Sequence, residues 1–425
     1  MFITRLVALL SLVFLAVAER SLVVYDSVKI DLAEPPIELK RVVETFKSLG
    51  HEILLRGYQD SDLLMFVSGY AIFDNIVFLP TSSKKINRKE QLNKQNLVDI
   101  AKTANLVFVG DSNYNYPDVI REFLNEAGIY PSPKGYKLID HFEASDKVKL
   151  TKDNIGCARI LSTIDTEYDG QSAILSNNEN LVPILTASKT SFSSNDNINP
   201  VDNENSWGFG QQSHLAVSLQ ALSGTRITWV GSIELLKQEL LLWAIGQRNA
   251  LKLQFVQHHK ADEPQNLDST LYRIKDQVVY TIGVSELVDG QWKPFVVEND
   301  EETLQLSFKM LDPYQRLNLQ PLGEASSVEG SKVLDTYVYS VNFTIPDQHG
   351  MFTFELDYKR PGLTYLLEKQ VVAIRHLAND EYKRSWDITN AWFYVVSAVL
   401  VVIAWFFFVV NFLYVSKVDV GKKDQ

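Results

Sequence analysis

The sequence predicts an α/β domain, then an all-β domain, then one membrane-spanning helix. Three observations carry this. Short apolar runs alternate with helical patterns from Ser21 to about Gly246. From Lys275 to Tyr358 the segments alternate like strands with no helical pattern between them. Residues 391–415 read AWFYVVSAVLVVIAWFFFVVNFLYV, without a charge.

The elements follow in order. Arg5 precedes an apolar run from Leu6 to Val17 that ends Ala16-Val17-Ala18, the pattern of a signal peptide over 1–18. SLVVYD (Ser21–Asp26) is a buried-strand pattern. IELKRVVETFKSLG places Leu39, Val42, Val43, Phe46 and Leu49 at helical spacing, with Gly50 closing the helix. HEILLR, NIVFLP (Asn75–Pro80) and NLVFVG (Asn105–Gly110) read as strands. PDVIREFLNEAG reads as a helix with Pro117 at its first position and Gly128 past its end. After a long, polar, less regular stretch, RITWVGS is a strand, and a helix follows from Ile233 to about Gly246. Such alternation predicts a doubly wound, mostly parallel sheet over residues 19–257.

The polar stretch with His258-His259 reads as a linker over 258–270 rather than a ligand pair. KDQVVYTIGVSE, TLQLSFKML, YVYSVNFTIPD and GMFTFELDY then predict an antiparallel, sandwich-like β domain over 271–374. A mixed-charge stalk, 375–390, leads to the membrane helix, 391–415, and a tail, 416–425. At about 1.5 Å per residue that helix reaches roughly 37 Å, against a hydrocarbon core of about 30 Å. Trp386, Trp392 and Tyr414 sit near its ends, where amphipathic rings prefer the interface.

The signal peptide sends residues 19–390 across the membrane, and the helix stops transfer. Lys417, Lys422 and Lys423 then face the cytosol, against Lys383 and Arg384 outside, so loop charge adds little and the signal carries the orientation. Lys422 and Lys423 stand fourth and third from the end, the spacing of a dilysine retrieval signal of the endoplasmic reticulum.

Composition excludes some classes. A net charge of −11 argues against a nucleic-acid partner. Cys157 is the single cysteine, so no internal disulfide and no cysteine zinc site can form, and the thiol is expected to be buried. Asn342-Phe343-Thr344 is an eligible glycan acceptor.

Catalytic tools are scarce. Gly110-Asp111-Ser112-Asn113-Tyr114 approaches a nucleophile elbow, but Tyr114 stands where the second Gly should be. Ser232 reads as a helix cap. Gly208-Phe209-Gly210-Gln211-Gln212-Ser213 lacks the third Gly of a dinucleotide fingerprint and follows no expected strand. No spacing ties His141 or His214 to a nucleophile. No catalytic, cofactor-binding or metal-binding residue is assigned.

In the membrane helix, Asn390, Ser397, Ala404 and Asn411 recur every seven residues, a small and polar seam suited to a neighbouring helix, while lipid meets the other faces.

Longer blocks resemble a known family. HGMFTFELDYKRPGL (His349–Leu363) and VVAIRHLANDEYKRSWDITNAW (Val371–Trp392) are similar to the single-pass subunit of the endoplasmic reticulum oligosaccharyltransferase, the DDOST or wheat-germ-agglutinin-binding type. Upstream, FLNEAGIYPSPKG (Phe123–Gly135), KDQVVYTIGVSE and DPYQRL (Asp312–Leu317) extend the resemblance over the mature chain, and the terminal dilysine is like that of fungal members. The resemblance implies a non-catalytic, structural role in a complex that moves a preassembled oligosaccharide from dolichyl pyrophosphate to Asn in N-x-Ser/Thr sequons. It implies a ribophorin II-type and a DAD-type partner, and a multi-spanning catalytic subunit that holds the divalent metal, leaving this chain without a cofactor. The competing readings are a membrane-tethered hydrolase using Ser112 with a distant His, and a lumenal lectin-like recycling receptor.

Overall fold

The computed structural model describes residues 19–414 except 28–34, 61, 68–69, 83–90, 115, 143–146, 196–205, 289, 298–301, 330–331, 380 and 382–390. The expected signal peptide, Asn390, most of the stalk, and Lys422 with Lys423 lie outside these residues.

A nine-stranded sheet organises the first half. Its strands are β1 (Arg20–Tyr25), β2 (Glu52–Gly57), β3 (Asn75–Phe78), β4 (Asn105–Val109), β5 (Ile129–Pro131), β6 (Ala173–Leu175), β7 (Leu181–Thr186), β8 (His214–Gln220) and β9 (Arg226–Val230). The order is β2-β1-β3-β4-β9-β8-β6-β5, with β7 also on β8. From β2 to β9 every pairing is parallel; beyond β9 every pairing is antiparallel. The sheet is therefore mixed rather than mostly parallel. The reason lies in connection length: Ala221–Thr225 is too short for a crossover and folds as a hairpin turn, which reverses β9 against β8.

Both faces of the parallel half are covered. Leu39, Val42 and Phe46 of α1 (Ile37–Ser48) join Val23, Val77 and Val107 in one core. Leu97 and Ile100 of α2 (Lys94–Ala101), with Ile120, Phe123 and Leu124 of α3 (Asp118–Glu126), join Leu22, Ile76 and Phe108 in the other. Successive strand residues point to opposite faces, so each run had to be apolar throughout to serve two cores. Leu240, Leu241 and Trp243 of α4 (Gln238–Ala244) fall in the first core.

Local details differ from expectation. Pro117 caps α3 from outside instead of opening it. The expected 233–246 helix splits into a 3-10 turn, Ile233–Leu235, and α4. Gly50 and Gly128 follow their helices with φ of 78° and 84°, the left-handed stop that glycine adopts without a Cβ clash.

The second half is two packed sheets. One runs β10 (Ala250–Lys260), β12 (Gln277–Val288), β17 (Lys332–Thr344), β16 (Gln320–Glu329), with β13 (Gln291–Pro294) on β12. The other runs β11 (Leu271–Arg273), β19 (Leu366–Arg375), β18 (Gly350–Tyr358), β14 (Gln305–Lys309), β15 (Pro313–Asn318). Val278, Tyr280 and Ile282 from one sheet meet Phe308, Phe352 and Phe354 from the other in a single core. All pairs are antiparallel except β11 with β19. The segment read as a linker begins inside β10: His258 is buried, and its Nδ1 lies 2.6 Å from the Tyr272 hydroxyl. A neutral imidazole joined to a phenol is a core pair, which QHHK alone does not reveal.

The last element is α5 (Trp392–Leu413), 22 residues with an 18-residue window of mean hydropathy 2.8 and none of it buried against the rest of the chain. It reaches about 33 Å at 1.5 Å per residue, enough to cross a bilayer core.

Candidate functional site

In open α/β sheets, ligands bind where parallel strands end. Here the carboxyl ends of β3, β4 and β9 deliver Leu79-Pro80, Gly110 to Tyr114, and Ser232 to Glu234 to one cleft of about 470 Å³. Pro36 and Leu39 at the start of α1 close one side, and Lys147 and Asp169 line it too.

Its floor explains the glycines. Gln171 passes across the strand ends, its N–H donating to the Gly231 carbonyl at 3.1 Å. A Cβ on Gly231 would lie 2.1 Å from the Gln171 carbonyl oxygen, and one on Gly110 would lie 3.2 Å from Gln171 Oε1. These glycines permit close backbone approach; they do not make a phosphate turn. Beneath them Trp229 Nε1 donates to the Tyr116 hydroxyl at 3.0 Å, and the Tyr168 hydroxyl donates to the Gln171 carbonyl. Burial pushes the Tyr116 and Tyr168 phenols well above the ordinary range, so both stay neutral.

The structure does not assemble a nucleophile here. Ser112 sits in a turn in which the Asn113 N–H donates to Asp111 Oδ1 at 2.9 Å, and its own carbonyl accepts from Gly135 N–H at 2.9 Å. No histidine lines the cleft. His141 packs against the Phe192 ring at 5.0 Å, and His214 is half-buried at the head of β8, where desolvation lowers its pKa. Ser232 accepts from Glu234 N–H at 3.4 Å, the cap expected of it. Gly208 lies within a strand, Ser206–Phe209, and Gly210 opens a 3-10 turn, so neither faces a helix N-terminus that could hold a pyrophosphate. Asp111, Asp169 and Glu234 against Lys147 give the cleft more acidic than basic groups, a lining suited to hydroxyls rather than anions. Among the described residues, no group of three or more His, Cys, Asp or Glu is placed to hold a metal ion.

A second constellation joins the two halves. The loop between β18 and β19 enters the first half at Gly362 to Thr364. Trp243 Nε1 donates to the Gly362 carbonyl at 2.8 Å. Gln220 accepts from Gly362 N–H at 3.0 Å and donates to the Leu363 carbonyl at 2.9 Å. Arg226, 1 % exposed, stacks on Trp243 at 4.4 Å. Its guanidinium donates to the carbonyls of Trp243, Arg248 and Asn249 and to Thr364 Oγ1. Burial lowers its pKa to about 9, which leaves it charged at neutral pH. Cys157 is buried against this loop, where desolvation pushes its thiol up. The sequence contained one signal of this junction: a lone charge, Arg226, in the otherwise apolar run RITWV.

The remaining expected residues are dispersed. Asn342 is exposed near the end of β17, past the last residue that β16 pairs. Ser397, Ala404 and Asn411 stand on α5 at seven-residue steps, about 20° of drift per step, and Ser397 Oγ donates to the Tyr394 carbonyl at 2.8 Å.

Comparison with known proteins completes the picture. Residues 14–257 match the family model for the OST48 N-terminal domain, and residues 258–416 match that for the OST48 middle domain. The chain is 35% identical over 420 residues to the WBP1 subunit of the dolichyl-diphosphooligosaccharide–protein glycosyltransferase of Saccharomyces cerevisiae, covering 95% of this chain and 93% of that one. It is 28% identical over 355 residues to the wbp1 subunit of Schizosaccharomyces pombe, covering 77% and 78%. It is 27% identical over 422 residues to the 48 kDa subunit of Drosophila melanogaster, covering 89% of each chain.

Proposed function

The chain belongs to the OST48 family, and from that premise we propose that it is a structural subunit of oligosaccharyltransferase, anchored in the endoplasmic reticulum membrane and serving protein N-glycosylation. The observation that carries this is a family match running from residue 14 to residue 416 through both halves and the apolar helix. In this reading both halves are lumenal, the first is a doubly wound sheet, and Lys422 and Lys423 form a cytosolic retrieval signal. The sequence limits 19–257 and 271–374 shift at their junction, because β10 joins the second half's sheet from Ala250, and the apolar helix spans Trp392–Leu413. The chemistry and its divalent metal belong to a multi-spanning subunit, and the role of this chain is non-catalytic. The neighbours are the ribophorin II-type and DAD-type subunits. Purification through an internal tag, which leaves the terminal lysines free, recovers these partners in mild detergent; a chain that purifies alone would overturn the proposal.

Two further outcomes follow. Ser397 and Ala404 face a neighbouring helix, since small residues let backbones approach. Replacing both with Leu leaves insertion intact and lowers co-purification of the partners; unchanged recovery would remove the seam from the reading. Asn342 carries a glycan, consistent with its exposure on β17. Asn342→Gln then abolishes the mobility shift on endoglycosidase treatment, whereas a wild-type chain that shows no shift would remove the glycan from the reading.

A further inference from the structure

The β11-β19-β18-β14-β15 sheet carries its outer apolar side chains mainly at one end. Register aligns Leu271, Ala373 and Met351 across three strands. Tyr272, Val372 and Phe352, their sequence neighbours, are buried on the inner face, so this row is on the outer one. Met310 and Leu311 follow the last residue of β14 at this same end, and Met310 Sδ lies 3.0 Å from where a Cβ on Gly350 would stand. Leu311 is 89% exposed, Met351 59%, Val371 57%, Leu271 47% and Met310 44%. Away from this end the face becomes mostly charged: Glu355 is held between Lys309 and Lys369, and Asp357 pairs with Lys359. Leu367 is the exception.

The same end is where the chain leaves for the membrane. Past Arg375, the last residue of β19, Glu381 is clamped back onto the sheet. It accepts from Arg375 at 2.8 Å through both terminal nitrogens, from Ala378 N–H at 2.7 Å and from Arg273 at 2.9 Å. Arg375 above all, then the Ala378 N–H, holds its carboxyl down to about 2, so the clamp is ionised at lumenal pH. The chain from Glu381 to the start of α5 at Trp392 spans at most about 40 Å even if fully extended. A contiguous exposed apolar patch on a soluble module marks a partner or a membrane. Its position beside the tether identifies which.

We propose that Met310, Leu311, Met351, Val371 and Leu271 form a membrane-contacting edge that dips into the headgroup region of the bilayer crossed by α5. Side chains at such a depth exchange water for acyl boundary. The ion-paired arginines beside them remain at headgroup level. The contact fixes which way the β module faces above the membrane, and through the Arg226 junction it orients the first half as well.

This rests on α5 being the spanning segment, so the test separates the two. The full chain, in its complex and reconstituted in lipid vesicles, carries an environment-sensitive fluorophore on a single introduced cysteine in a Cys157→Ser background. Leu311→Cys reports the proposed edge. Leu322→Cys, exposed on β16 of the other sheet, reports solvent. Val401→Cys reports mid-helix. With spin-labelled lipids as quenchers, the probe at 311 loses most of its emission to shallow labels, the probe at 401 to deep labels, and the probe at 322 to neither. Loss at 401 without loss at 311 would overturn the edge alone. Loss at neither would overturn the span and the edge together. A photo-crosslinker at 311 that captures protein instead of lipid would reassign the patch to a subunit interface and overturn the proposal.

Discussion

Depleting this chain lowers N-glycan occupancy across many secretory proteins, and re-expressing it with Ser112→Ala restores occupancy in full. The first half follows from membership in a transferase complex, because losing a structural subunit weakens assembly of the whole. The second half separates that role from the hydrolase reading. If Ser112 were a nucleophile, its removal would cost many orders of magnitude in rate. In the structure it has no histidine beside it in the cleft. Its carbonyl is used and its side chain is nearly enclosed in a turn, so an alanine there removes one oxygen and little packing. The measurement is sequon occupancy on several reporter glycoproteins under depletion and rescue. Occupancy that stays low with the alanine variant, expressed at normal level, would place chemistry in this chain.

Arg226→Met destabilises the protein on the order of 3 kcal/mol. A buried guanidinium with four acceptors and no carboxylate beside it serves only those acceptors. Methionine fills much of its volume but leaves the Trp243, Arg248 and Asn249 carbonyls in the interior without this donor. The Trp243 and Asn249 carbonyls keep the Gly246 and Thr364 N–H donors, so the cost stays below that of three unpaired acceptors at about 1–3 kcal/mol each. Arg226→Lys recovers part of the loss, since a compact ammonium cannot fork to all of them. The junction with Thr364 loosens as well, so protease cuts between the halves before either is digested. The checks are thermal melting and limited proteolysis of the purified complex. A methionine variant that melts with the wild type would show that the junction does not depend on this side chain.

Much of the fold was legible because its signals are local. SLVVYD, NIVFLP and NLVFVG are apolar without alternation, and each proved to feed a core on either face of the sheet. The helix at Ile37 was marked by spacing and by Gly50. The stretch from Ile129 to Gln220 was not legible. Several of its strands are only three residues long and show no period, and HLAVSLQ is buried nearly throughout, so it resembles a helix core as much as a strand. His258 was misread for a related reason: a polar side chain reads as solvent-facing until its partner, Tyr272, is known.

What the sequence determined by itself was everything carried by neighbours in the chain: the apolar helix at 392, the change from α/β to β character, and long blocks that match one family. What only the tertiary structure decided was every property that joins distant residues. Arg226 and Thr364 stand 138 positions apart, and Gln220 and Leu363 stand 143 apart. Periodicity reports that a face is buried, but burial alone does not name the neighbour. The same limit hid the mixed sheet, the cleft where three strands end, and the apolar edge beside the tether. Each is set by which strands lie side by side, and that is fixed by packing energy summed over the whole domain, not by any one segment.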